Sequence, residues 1–178
     1  MAKKASSTGK PVVGVVMGSD SDLPVMQRCL DTLDGFGIAW EVRVISAHRT
    51  PDVAHEYAAS AAKRGLKVLI AGAGMSAALG GVLAANTTLP VLGVPMAAGP
   101  LAGVDAALST MQMPPGVPVA CMAIGKAGAT NAAIFAAQVL AVSDRKLAGR
   151  LRRYKADQAR KVCERDAAVR ARNSAGQG

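Results

Sequence analysis

Apolar runs recur along the chain, separated by stretches whose apolar residues fall at helical spacing. Residues 11–17, 39–45, 66–71, 90–94 and 117–123 predict five strands. Several of these runs are continuously apolar and rich in Val or Ile, the pattern of strands covered on both faces of a parallel sheet. Between them, Leu23, Met26, Leu30 and Leu33 mark one face of a first helix, with Pro24 near its start. Thr50 and Pro51 open a second, with Val53 and Tyr57 on one of its faces. Residues 76–85, 104–111 and the Ala-rich 131–142 predict three more. Strand and helix alternating through short connections imply an α/β fold, a three-layer α/β/α sandwich with right-handed crossovers.

The final stretch has a different texture. Leu147, Leu151, Tyr154, Val162 and Val169 approximate helical spacing amid many charges, which predicts a long amphipathic C-terminal helix over residues 144–172, laid on the body or on a neighbouring subunit. The expected organisation is a disordered basic tail at 1–10, a single catalytic α/β domain at 11–143, that helix, and a disordered tail at 173–178.

Composition narrows the picture. At 178 residues the chain suits one domain with a sizeable core, and its 51% hydrophobic but only 3% aromatic content means a core of Ala, Val, Leu, Ile and Met. The net charge of +9 invites a nucleic-acid reading, yet residues 144–172 carry +7, residues 1–10 carry +3, and 11–143 carries −1. No aromatic-rich surface accompanies the charge, so nucleic acid is not an expected partner. No apolar run reaches the roughly 20 residues of a membrane span, and the start lacks the apolar segment of a secretory signal. Cys29, Cys121 and Cys163 form no CxxC pair and no metal-like cluster with His48 and His55. Scattered, odd-numbered cysteines suit a reducing cytoplasm.

Three loops leave strand C-terminal ends and converge on one edge of a parallel sheet, where open α/β sheets place ligands. The first is Gly18-Ser19-Asp20-Ser21-Asp22. Its hydroxyls suit phosphate oxygens and its carboxylates suit ribose hydroxyls or an amine, but it is neither a Walker loop nor GxGxxG. An Asp or Ser merely capping the first helix is the plainer alternative. The second is Ser46-Ala47-His48-Arg49, followed by Thr50-Pro51. Arg can grip a phosphate through two parallel hydrogen bonds, and histidine titrates nearest neutral pH of all side chains. A helix cap beside an incidental His is the competing account. The third, Gly72-Ala73-Gly74-Met75-Ser76-Ala77-Ala78-Leu79-Gly80-Gly81, lets a ligand approach the backbone or simply packs a helix closely. Together the loops point to a phosphorylated sugar or nucleotide and a proton-transfer step run on His48, helped by Asp22.

The segments VVMGSDSD (15–22), SAHRTPD (46–52), IAGAG (70–74), PVLGVP (90–95), QMPPGVPVA (112–120) and AIGKAGATNAAIFAAQVLA (123–141) resemble the purine-biosynthetic 5-(carboxyamino)imidazole ribonucleotide mutase family. The resemblance runs collinearly over residues 11–155. It implies a flavodoxin-like sandwich assembled as a homo-octamer, and a cofactor-free transfer of a carboxylate from the exocyclic nitrogen to ring carbon 4 of an aminoimidazole ribonucleotide. On that resemblance, His48 is the general acid/base. Ser19, Asp22, Ser46 and Arg49 bind the ribonucleotide, and Ala47, Gly72 and Gly74 lend backbone groups; beside these, the third loop's own chemistry adds Ser76 as a hydrogen-bonding group for the carboxylate and Leu79 as an apolar wall of the substrate site.

One departure stands out. The mutase loop usually reads GAGGAAHLPGM, whereas here Ala78 replaces the loop histidine and Gly80 the proline. The Gly74-x-Ser76-x-x-Leu79-Gly80 pattern is closer to the sister class, which carboxylates aminoimidazole ribonucleotide directly with CO2. Direct carboxylation is therefore the alternative activity, and a non-catalytic nucleotide-binding module the alternative of another class. His48 beside Arg49 speaks against the last, since binding alone requires no imidazole.

Overall fold

The computed structural model describes residues 9–175. The expected N-terminal tail up to residue 8, and the expected C-terminal tail from residue 176, lie outside them. Five strands run as β1 (Val13–Met17), β2 (Trp40–Val44), β3 (Val68–Gly74), β4 (Val91–Met96) and β5 (Ala120–Cys121). All neighbouring strands pair in parallel, in the order β2-β1-β3-β4-β5. This is the flavodoxin-like doubly wound order, which reverses direction between β1 and β3. β1 and β4 are buried along their whole length, as continuous apolar runs require, while β2 at one edge is half-buried and carries Glu41 and Arg43. β5 at the other edge is far shorter than its apolar run suggests. Pro114, Pro115 and Pro118 precede it, and proline has no N–H to donate to a ladder.

Six helices follow the expected alternation: α1 (Leu23–Gly35), α2 (Pro51–Arg64), α3 (Leu79–Ala85), α4 (Val104–Met111), α5 (Gly125–Ala141) and α6 (Arg145–Ala175). α3 begins three residues after its predicted start, because Met75–Ala78 form a loop. α5 begins six residues before its own, at a left-handed glycine, Gly125. Two face assignments are corrected. α1 buries Met26, Cys29, Leu30 and Leu33 but exposes Leu23, its first residue. α2 exposes Val53 and buries Ala54, Tyr57, Ala58 and Ala61, an i, i+3, i+4, i+7 stripe of mostly small residues.

Val16, Leu69, Ala71 and Val91 form one buried cluster with α2 and α3, while Met26 of α1 reaches the opposite face of the sheet at Gly72. α4 lies against β4 at Gly93, where a Cβ would collide with the Thr110 side chain. The glycine is what lets helix and strand approach so closely. At the β2 edge, the Arg64 guanidinium sits over the Tyr57 ring at 4.6 Å and pairs with Glu41. Burial works to raise the Glu41 carboxyl, but the hydrogen bond and positive charge of Arg64 outweigh it and hold the group below the ordinary carboxylate range. The Cys29 thiol is pushed up to about 12 by burial, so it is a packing residue rather than a nucleophile.

The chain divides into two compact units, Met1–Val139 and Leu140–Gly178. In the second, Asp144 accepts hydrogen bonds from the Lys146 and Leu147 amides (2.9 and 3.0 Å), an acidic cap that starts α6. Leu147 and Leu151 are buried, whereas Val162 and Val169 are exposed. Asp157, Glu164 and Asp166 each pair with an arginine one helical turn away, leaving most of the helix's positive charge uncompensated.

Candidate active site

The C-terminal ends of β1, β2, β3 and β4 open onto a cleft of about 430 Å³ beside the β1/β3 reversal. Three of its walls are the three loops singled out by sequence.

In the first loop, Ser19 has extended backbone and caps a single 3-10 turn, Asp20–Asp22. Its Oγ accepts hydrogen bonds from the Ser21 amide (3.3 Å) and the Ser21 hydroxyl (2.9 Å). The Gly18 amide donates to the Gly72 carbonyl (3.0 Å), fixing this loop on the neighbouring strand. Asp22 lines the cleft half-buried. Burial raises its carboxyl above the ordinary range, a backbone hydrogen bond from Ser19 opposes the rise, and the Asp20 charge adds to it.

The second loop is closed by Thr50. Its amide and its hydroxyl both donate to the Ser46 carbonyl (2.9 Å each), and the same hydroxyl accepts from the Ser46 amide (3.0 Å). Thr50 stands at the N-cap of α2 with Pro51 first in the helix, but its hydroxyl is committed to the loop and makes no side-chain cap bond. Arg49 joins the two loops: Nε donates to Ser46 Oγ (3.3 Å) and Nη2 to the Gly18 carbonyl (3.2 Å). The fork is thereby held in place with further N–H groups left for a ligand. His48 is exposed at the cleft and has no hydrogen-bond partner among the described residues. His55 is elsewhere, its Nδ1 2.6 Å from Asn86 Oδ1, linking α2 to the end of α3.

The third loop forms the apolar wall. Ala77 and Leu79 are buried, Ala78 is half-buried, and Met75 and Ser76 are exposed. Gly74 lies so close to the loop after β4 that a Cβ there would sit 2.8 Å from the Ala98 Cβ.

Ser19, Asp22, Ser46, Ala47, His48, Arg49, Gly74, Ser76 and Leu79 are thus brought to one cleft. Gly72 is not at its surface: it is buried in β3, its carbonyl already taken by Gly18. Sequence reasoning missed Ala98, on a fourth loop at the same sheet edge. Its signal is present in Ala97-Ala98-Gly99-Pro100, small residues and a glycine directly after a strand. The cleft pairs an arginine fork and serine hydroxyls with an accessible imidazole, and faces both with a wall of small apolar side chains. It can hold an anion, move protons and shelter a small uncharged group. Among the described residues, no three His, Cys, Asp or Glu side chains come together as metal ligands, and no helix is long and apolar enough to cross a membrane.

A family model described as AIR carboxylase matches residues 12–161. The chain is 50% identical over 156 residues to the N5-carboxyaminoimidazole ribonucleotide mutase of Pyrococcus horikoshii, covering 88% of this chain and 87% of that one. It is 54% identical over 142 residues to the Bacillus subtilis protein of the same name, covering 80% and 88%. The Pseudomonas aeruginosa mutase is 51% identical over 153 residues, covering 86% and 94%. Among solved structures, Treponema denticola PurE superposes with a TM-score of 0.80 at 29% identity, covering 88% of this chain and 97% of that one.

Proposed function

The chain belongs to the AIR carboxylase family, and on that footing we propose that it catalyses the mutase reaction for which its curated relatives are named. It is an isomerase of purine biosynthesis that moves the carboxylate of N5-carboxyaminoimidazole ribonucleotide from the exocyclic nitrogen to ring carbon 4. The observation that carries the reading is the meeting of His48, Arg49 and the Ser19–Asp22 loop in one cleft with an apolar far wall.

In this reading Arg49, Ser19 and Ser46 hold the phosphate, and Asp22 the sugar hydroxyls. Ala47, Gly72, Gly74, Ser76 and Leu79 shape the space for the base and its carboxylate, Gly72 from beneath. Protonated His48 gives its proton to the exocyclic nitrogen as the N–C bond breaks and CO2 departs, the bonding pair staying on nitrogen. Ring carbon 4 then attacks CO2, and the now neutral imidazole removes the proton from that carbon, which returns His48 to its starting state. One imidazole serves both transfers because they occur in sequence. Binding energy at the phosphate, remote from the reacting atoms, positions them.

The protein works as a homo-oligomer, an octamer, in the reducing cytoplasm. Two observations support this. Leu101, Val104, Leu108 and Met111 are each at least half exposed, the last three on one face of α4, a patch suited to another copy of the chain. Cys29, Cys121 and Cys163 are all free thiols.

The deciding assay offers the purified protein the carboxyamino ribonucleotide, and separately aminoimidazole ribonucleotide with bicarbonate. Turnover of the first is expected. Turnover of the second alone would replace the mutase reading with direct carboxylation, and tight binding with no turnover of either would leave a nucleotide-binding module.

A further inference from the structure

The distal part of α6 is packed against nothing among the described residues: every residue from 155 to 173 is exposed, on all sides of the helix. A helix with so little buried surface is held by ion pairs along its length or by a partner. Here the ion pairs are few. Asp157 and Glu164 both pair with Arg160, and Asp166 pairs with Arg170, so the three acids between residues 152 and 172 are taken up by two arginines. Arg152, Arg153, Lys155, Lys161, Arg165 and Arg172 have no hydrogen bond or ion pair among the described residues. Arg152 with Lys155, and Lys161 with Arg165, are like charges one turn apart, which oppose the helix they sit on. An anion bound along α6 would relieve them.

Three of the unpaired cations are aligned. Lys161, Arg165 and Arg172 recur at i, i+4 and i+11, which sets them in a row along one face. At the helical rise they are spaced by about 6 Å and then about 10 Å. Asp157 and Glu164, the acids nearest the row, turn to Arg160 instead. Ala168, between Arg165 and Arg172 on the same side, leaves the row uncrowded. Arg165 and Arg172 also lie past residue 161, where the family match ends, so the carboxyl transfer does not account for them.

We propose that this row is a docking surface for the phosphate backbone of duplex DNA, bound without regard to base sequence. Duplex DNA carries a charge about every 1.7 Å of its axis, so a straight file of cations meets phosphate at each step, and arginine grips phosphate through two parallel N–H groups. The other occupants fit less well. A second copy of α6 brings like charge to like charge. A lipid surface needs a broad apolar face, and Val162 and Val169 are the only large apolar side chains from 155 to 173. An acidic protein surface offers fewer charges per ångström than a phosphate backbone. Single strands are held by stacking on aromatic rings, which this stretch lacks. The same lack argued against nucleic acid in the sequence, but it does not bear on a duplex, whose bases stay stacked inside. The B-form major groove, about 12 Å wide, admits an α-helix, whereas that of A-form RNA is too narrow for side chains to read.

The test titrates a fluorescent DNA duplex of about 20 base pairs and arbitrary sequence with the whole enzyme, from about 50 to about 200 mM KCl, and reads anisotropy. Three phosphate contacts should give a slope of about −2.7 in log K against log salt for each helix engaged, about a 40-fold loss of affinity across that range. The triple variant Lys161→Gln, Arg165→Gln, Arg172→Gln should bind at least about tenfold more weakly at low salt with a flatter slope. Its helix content by circular dichroism and its turnover should match wild type. A second triple, Arg152→Gln, Arg153→Gln, Lys155→Gln, removes the same charge from other faces and should stay within a few-fold of wild type. Equal losses in the two triples would overturn the proposal, by reducing the row to net charge, and so would binding that ignores salt. Polyglutamate or phosphatidylglycerol vesicles binding as tightly as the duplex would overturn it in favour of an acidic protein or a lipid surface. Equal affinity for a duplex RNA would overturn the choice of DNA.

Discussion

Asp22 carries a cost that its position in the cleft explains. Half-buried, its carboxyl titrates above the ordinary value of 3.8, chiefly because burial disfavours the charge. A carboxyl whose pKa is higher folded than unfolded favours the folded state when protonated, and that advantage is lost as pH rises through the raised value. Asp22→Asn should therefore melt higher than wild type at pH 7, the difference closing as the pH falls towards 3.8 and below, while its affinity for the ribonucleotide drops. Thermal melts across that range, with a binding isotherm at pH 7, check both halves; a neutral-pH loss of stability would show that the charge is welcome there. His48 makes the sharper case. It has no internal partner among the described residues, so replacing it should disturb little but chemistry. His48→Asn should keep ribonucleotide affinity and lose most turnover, by the 10²–10⁴-fold typical of a general acid/base. His55→Asn, which breaks only the bond to Asn86, should leave kcat nearly unchanged. Near-normal turnover in His48→Asn would end its assignment.

At the scale of elements, the seam between α4 and β4 is a tight point to probe. A Cβ on Gly93 would overlap the Thr110 side chain, and Thr110 is buried with its hydroxyl donating to the Ala106 carbonyl (2.7 Å). Gly93→Ala should cost about 1–3 kcal/mol, the usual range for overpacking a core. Adding Thr110→Ser, which deletes the offending methyl and keeps the hydroxyl, should recover part of the loss. Denaturant melts of both singles and the double give the coupling, and strict additivity would contradict the contact. The same seam illustrates what the sequence discloses. Continuous apolar runs announced β1, β3 and β4 because those strands are covered on both faces. The buried stripe of α2 was hidden because it is mostly alanine, whose small side chains give a weak periodic signal, and Val53 beside it drew the face to the wrong side. The shortness of β5 lies in backbone hydrogen bonding, which apolarity does not report. At the cleft, the three loops were legible because Ser, Asp, His and Arg have few reasons to follow buried strands. Ala98 was not, because a small apolar residue carries no chemistry until a neighbour such as Gly74 is known to press against it. The tie from Arg49 to the Gly18 carbonyl spans 31 residues of sequence and had no local signature at all.

For the whole molecule, the proposed assembly turns on the outward face of α4. Val104, Leu108 and Met111 recur at i, i+4 and i+7 and are exposed in the single chain. Replacing Val104 and Leu108 with glutamate should reduce the mass measured by light scattering and lower turnover, while the melting transition of the monomer remains cooperative. An unchanged mass would place the subunit contacts elsewhere. The ends of the sheet bear on the same question from another side. β2 presents Glu41 and Arg43 along one margin, and proline-punctuated backbone precedes the two-residue β5 at the other. Charged side chains, prolines and short strands at a margin are the devices that keep one sheet from templating the next. A protein that gathers many copies at high local concentration runs the hazard of open-ended polymerisation. Here the margins are poor places for a neighbour's backbone to add, so in the proposed assembly association falls to side-chain surfaces, where packing fixes a finite geometry.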